Sequence, residues 1–153
     1  MTDYMLDSGH FLVVGGTFIA VVASVLLHYE VSIALSRTME NATNSLRRRF
    51  LVLIFGLLGA HIVEIWFFAL ASWLLLTHPL TGSLTGLESI HFLDHVYLSA
   101  VTFSTVGYGD LVPEGAIRFL KGTQGLTGFM LITWSASLTF IEMQRHWEVG
   151  KKS

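Results

Sequence analysis

The chain has 153 residues, of which 52% are hydrophobic and only 13% charged. Soluble domains carry roughly 25% charged residues, so this composition leaves too little polar surface for water alone and makes lipid part of the solvent. The absence of cysteine excludes a disulfide framework, a thiol nucleophile and a thiolate metal site. A formal net charge of −2, with 9 Lys and Arg, argues against a nucleic-acid-binding surface.

Three stretches reach the length of about 20 mostly apolar residues that crosses a hydrocarbon core. The first begins at Phe11 and extends to the neighbourhood of Leu35, and residues 11–27 carry no charge. No basic segment precedes it (Asp3 and Asp7 are acidic) and no small-residue cleavage pattern follows, so a retained helix is expected rather than a signal peptide. Residues 1–49 then form a first unit: one transmembrane helix and an arginine-rich loop with Arg37, Arg47, Arg48 and Arg49. His28 and Glu30, toward the end of that helix, are expected to meet the arginine cluster, and Arg47–Arg49 to anchor on anionic lipid.

The second span covers 50–76 and is interrupted by His61 and Glu64. Residues 77–86, rich in Thr, Gly and Ser, read as a surface loop. The chain turns apolar again over 91–104, which is too short to span but suits a short re-entrant helix over 92–104. The third span, 119–141, lies within a helix expected over 115–147 and leaves 148–153 as a short tail. The expected fold class is thus an all-α membrane protein with three transmembrane helices and one re-entrant helix.

Basic residues set the orientation. The arginines between the first two spans, and Arg145, Lys151 and Lys152 after the third, belong to the cytoplasmic side, whereas residues 77–91 and the N-terminal tail have no Lys or Arg. The expected topology is a multi-pass protein of the cell membrane, plasma or inner, with its N-terminus outside and its C-terminus in the cytoplasm. Arg118 and Lys121 sit at a helix end, where they are expected to snorkel to the headgroups.

Immediately after the re-entrant helix comes Thr105-Val106-Gly107-Tyr108-Gly109-Asp110. Gly107 and Gly109 lack a Cβ and can take positive φ, which would let alternate residues turn their carbonyls to the same side. The hexapeptide resembles the selectivity filter of potassium channels, and residues 97–104 and 111–113 around it resemble that family's pore region. The resemblance implies a pore domain over 50–147, with outer helix 50–76, pore helix 92–104, filter 105–110 and inner helix 115–147, preceded by an additional N-terminal helix. It implies K+ sites at the carbonyls of Thr105, Val106, Gly107 and Tyr108, with Gly109 closing the filter, the Thr105 hydroxyl at the innermost site, and Tyr97 and Asp110 as supports.

One filter segment per chain cannot enclose an ion, so a homotetramer is expected. K+ is the permeant ion, with no organic cofactor and no nucleic acid as partner. The sequence departs from the family at Val101, where many members have a carboxylate paired with the aspartate after the last glycine. It also departs at the gating hinge: the family position falls at Phe129, and Gly128 is one residue early. The glycines at 122, 125 and 128 also suit close helix packing, and Ser135, Ser137 and Thr139 suit either a water-filled cavity or bonds to the preceding helical turn.

His61 and Glu64 lie three residues apart on one face of the second span. Ionisable residues at that depth are functional candidates, and three roles are open: a carboxyl that holds the first helix to the pore, a proton- or ligand-sensitive gate, or a metal site. Outside the spans, His91 and His95 with Asp94 between them suit a metal or proton site on a helix face. The reading of the whole chain is a passive potassium-selective channel and not an enzyme. The alternatives are a potassium-uptake transporter subunit, a weakly selective cation channel, or an intramembrane metalloenzyme built on His61 and Glu64.

Overall fold

The computed structural model describes residues 8–41 and 46–150. Among them the element order is α1 (Ser8–Asn41), α2 (Leu46–Leu75), β1 (Ser83–Thr85), α3 (Phe92–Phe103), β2 (Val112–Glu114) and α4 (Ile117–Gly150). α1, α2 and α4 are each long and apolar enough to cross a membrane, over Ser8–Met39, Arg47–Leu75 and Ile117–Arg145. The protein is therefore all-α and multi-pass. Large apolar side chains such as Phe18, Phe55, Leu58, Phe129 and Met130 remain exposed on these helices, as expected of helices that are apolar on every side. α1 and α4 run past the apolar stretches because a formed helix propagates at little cost into polar residues.

α1 packs against α2 and α4, and α3 sits between α2 and α4. The buried face of α1 carries Thr17, Ala20, Ser24, His28 and Ser32, at spacings of three and four that place them on one side of the helix. Lipid tails solvate Leu about as well as another helix does, so close approach and hydrogen bonds hold the helices together. Phe68, Phe103, Ile117 and Leu120 form the centre of the apolar core where α2, α3 and α4 meet. Met39, Leu53 and Leu57 form a second cluster. Gly128 of α4 lies so close to the end of α3 that a Cβ there would overlap the Phe103 carbonyl.

α3 is mounted by polar contacts. The Asp94 carboxylate accepts the His91 N–H at 2.7 Å, at the positive end of the helix dipole. His95 is buried with Nδ1 3.2 Å from Ser72 Oγ on α2, while His91 is exposed, so the two histidines face different surroundings. Lys121 corrects one expectation. It does not snorkel: it is 5% exposed, and Nζ donates to Ser99 Oγ at 3.0 Å and Gln124 Oε1 at 3.3 Å. These inward acceptors replace the headgroups, and Gln124 Nε2 also donates to the Ser99 carbonyl at 3.1 Å.

The stretch 77–86, read as a surface loop, contributes a strand. β1 pairs antiparallel with β2 in the register Ser83↔Glu114, Leu84↔Pro113, Thr85↔Val112. The flanking Gly82 and Gly86 have φ of +119° and +124°, and a Cβ on either would strike the Glu114 or Asp110 carbonyl. The buried Thr81 donates through Oγ1 to the Leu75 and His78 carbonyls at 2.6 and 2.8 Å and accepts the Ile117 N–H at 2.8 Å. The ribbon thereby joins the end of α2 to the start of α4.

Two stability predictions follow from these contacts. Gly128→Ala should lower the thermal midpoint of the detergent-solubilised protein, by an amount equivalent to about 1–3 kcal/mol for overpacking, whereas Gly15→Ala, which meets open space, should leave it unchanged. Burial depresses the pKa of His95, and the neighbouring Lys121 charge acts in the same direction. The unfolded chain then takes up the proton first, so this contribution to stability is complete above the ordinary imidazole pKa and is lost as pH falls from there through the depressed pKa of the folded state. Between about pH 7.5 and about pH 5.5, either side of the ordinary pKa, the midpoint should fall, and His95→Gln should flatten the fall.

Candidate functional site

Two constellations stand out, one after α3 and one between the long helices. α3 closes with the Ser104 N–H on the Ala100 carbonyl at 3.0 Å. Beyond it Thr105, Gly107 and Gly109 have φ of 61°, 52° and 78°. Val106 and Tyr108, between them, lie outside the left-handed region. Alternation of hand turns peptide planes that would point opposite ways in a strand. A threonine at positive φ is uncommon, and glycine content gave no sign of it. Two amides bond back to α3: Thr105 N–H to the Thr102 carbonyl and Gly107 N–H to the Val101 carbonyl, both at 3.0 Å.

Residues 104–110 are exposed in the single chain, with Val106 at 54% and Tyr108 at 72%. The Tyr97 hydroxyl donates to Asp110 Oδ2 at 2.7 Å, and Asp110 Oδ1 accepts the Leu111 N–H at 3.1 Å. That hydrogen bond holds the phenolic proton and raises the pKa of Tyr97. Val101 is buried beside Leu98 and Leu111, so an apolar contact occupies the place of the family's carboxylate.

The second constellation lies at membrane depth. Glu64 is fully buried. Its Oε1 is 2.9 Å from His28 Nδ1 on α1, and its Oε2 is 2.9 Å from His61 Nδ1, one turn back on α2. Ser135 Oγ on α4 lies behind both rings, 3.0 Å from His61 Nε2 and 3.4 Å from His28 Nε2. The imidazoles stack at 5.3 Å between centroids, Trp134 meets His28 edge-on at 5.4 Å, and Phe103 meets His61 at 5.7 Å. An ionised carboxylate only accepts hydrogen bonds, so with Glu64 in that form each Nδ1 carries the hydrogen that faces it.

His61 and Glu64 thus come together as their spacing implies, and His28 joins them. His28 does not turn to the arginine cluster, because the buried carboxylate on α2 is the nearer acceptor. The signal was present in the sequence: His28 continues the stripe of small and polar residues Thr17, Ala20, Ser24 and Ser32 on α1. Ser135 is buried among the histidines. Ser137 and Thr139 instead donate back to the Thr133 and Ser135 carbonyls at 2.9 and 2.8 Å. Arg47 and Arg48 are exposed at the start of α2.

Comparison with known proteins gives one match. Residues 50–145 match the ion channel family, a stretch that begins in α2 and ends in α4, and so contains the whole of the segment after α3. No curated protein and no solved structure is significantly similar to the chain. The match covers more than half of the sequence and joins two of the membrane-length helices, so the chain is a multi-pass membrane protein that belongs to the ion channel family and serves transport rather than catalysis.

Proposed function

We propose that this chain is one subunit of a homotetrameric, potassium-selective channel, and that residues 50–147 form its pore unit. The observation that carries the reading is the alternation of φ along 105–109 directly after the C-terminus of a short helix. Four such segments around an axis would present the carbonyls of Thr105, Val106, Gly107 and Tyr108, and the Thr105 hydroxyl, as a dehydrated K+ ion's ligands. α3 would act as the pore helix, its negative C-terminal end favouring a cation below the filter. The Tyr97–Asp110 bond would brace the outer mouth. Ions in adjacent sites would repel one another, which speeds their passive flow down the gradient.

Surface chemistry supports the tetramer. Val106 and Tyr108 are too apolar to stand in water, and Leu126, Phe129 and Met130 line an uncovered flank of α4. An apolar groove bounded by Val21, Val25, Leu126, Met130 and Trp134 runs between α1 and α4. Neighbouring subunits would cover these surfaces. α1 would lie outside the pore unit, with the N-terminus outside and Arg47 and Arg48 against anionic lipid on the cytoplasmic side. Gly128 would transmit movement of the inner helix α4 to Phe103 and so to the base of the filter.

Liposomes that contain only this protein should release K+, exclude Na+ and be blocked by barium. Equal Na+ flux, or no K+ flux from liposomes shown by cross-linking to hold tetramers, would overturn the proposal. Gly107→Ala should abolish selective flux while leaving assembly intact, because an L-residue resists that φ. The cysteine-free background makes topology measurable: an impermeant maleimide should label Thr85→Cys on intact cells and Arg48→Cys only after permeabilisation.

A further inference from the structure

We propose that His28, His61 and Glu64 form a site for a divalent transition-metal ion of the zinc class, oriented from behind by Ser135. The inference goes beyond conduction and does not rest on it. One ligand atom from each residue lies within 4.8 Å of the others, and the residues come from two helices that no local motif ties together. The Nδ1-to-carboxylate distances of 2.9 Å are near what a metal needs. Bonds of about 2.0–2.1 Å place neighbouring ligand atoms ~3.0–3.4 Å apart, and the two Nδ1 atoms flank the two oxygens of one carboxylate at nearly that spacing.

Hydrogen-bond accounting points the same way. With Nδ1–H on both rings, each Nε2 is a bare acceptor, and the single Ser135 hydrogen satisfies only one of them. With a metal on both Nδ1 atoms, each Nε2 carries the hydrogen, and both hydrogens reach the two lone pairs of Ser135 Oγ. A shared hydroxyl behind two ligating imidazoles is the kind of outer partner that fixes ring orientation and tautomer. Two imidazoles and one carboxylate suit zinc and its neighbours, whereas calcium and magnesium prefer all-oxygen shells. The charge left over by one carboxylate faces the Phe103 end of α3, where the helix dipole is negative.

The metal would clamp α1 to α2 through its ligands and register α4 through Ser135. The test uses the full chain in detergent, stripped with a chelator and dialysed. Titration with zinc should give one ion per chain and raise the thermal midpoint, and cobalt(II) should give the visible d–d bands of a low-coordinate nitrogen–oxygen site. Glu64→Gln should weaken zinc binding at least a hundredfold, and Ser135→Ala by about ten- to a hundredfold through the outer shell. His28→Gln, which keeps size and polarity, serves if Glu64→Gln does not fold. His91→Ala, on the exposed surface, should change nothing. A wild-type chain that binds no zinc at micromolar concentration, and so holds only a shared proton in the cluster, would overturn the proposal. So would binding that survives both Glu64→Gln and His28→Gln, or that disappears with His91→Ala.

Discussion

A carboxylate at membrane depth is tolerated only if protein surrounds and satisfies it, and Glu64 imposes that condition on the rest of the molecule. It is fully buried, and its two oxygens take one imidazole from α1 and one from α2. Deleting one partner of such a buried pair typically destabilises by roughly 3–5 kcal/mol, more than any apolar contact between helices offers in lipid. α1 is therefore a structural requirement of α2. The stacked histidines then meet Trp134 of α4 and Phe103 of α3, so all four helices among the described residues touch the group that answers one charge.

The segment after α3 meets a related constraint. Irregular backbone is stable only where its N–H and C=O groups find partners. Here the amides of Thr105 and Gly107 return to the carbonyls of α3, and Asp110 is held by Tyr97 and by its neighbour's N–H. The intervening carbonyls are left for whatever stands on the exposed side. α3 in turn is fixed by Ser72 of α2 through His95 and by Lys121 and Gln124 of α4 through Ser99. The exposed, chemically open side of the segment is thus backed by a closed polar scaffold on the other.

The long helices were legible because twenty apolar residues in a row admit few other structures. Their ends were not: α1 runs to Asn41 and α4 to Gly150, past the apolar stretches. The helix at 92–104 was readable from pattern and the glycines at 107 and 109 from chemistry, whereas the Tyr97–Asp110 contact was implied by the resemblance to the potassium-channel pore. The β-ribbon was not, since three-residue strands have no usable period and their register depends on Gly82 and Gly86 meeting carbonyls from the far end of the loop. Lys121 and His28 misled for one reason. Charge near a helix end suggests water, and only the tertiary fold shows that Ser99, Gln124 and Glu64 offer better partners inside.

α4 contains a ladder of hydroxyls. Thr127, Thr133, Ser137 and Thr139 each donate to the carbonyl four residues back, at 2.8–2.9 Å. Each such bond competes with the helix's own amide for that carbonyl and softens the turn it spans. Gly128, by contrast, is wedged against Phe103. The helix is therefore held by a close contact where a joint would be sought, with softened turns on either side of it. Under load it would curve like an elastic rod rather than fold like a hinge, with its strain spread over several turns.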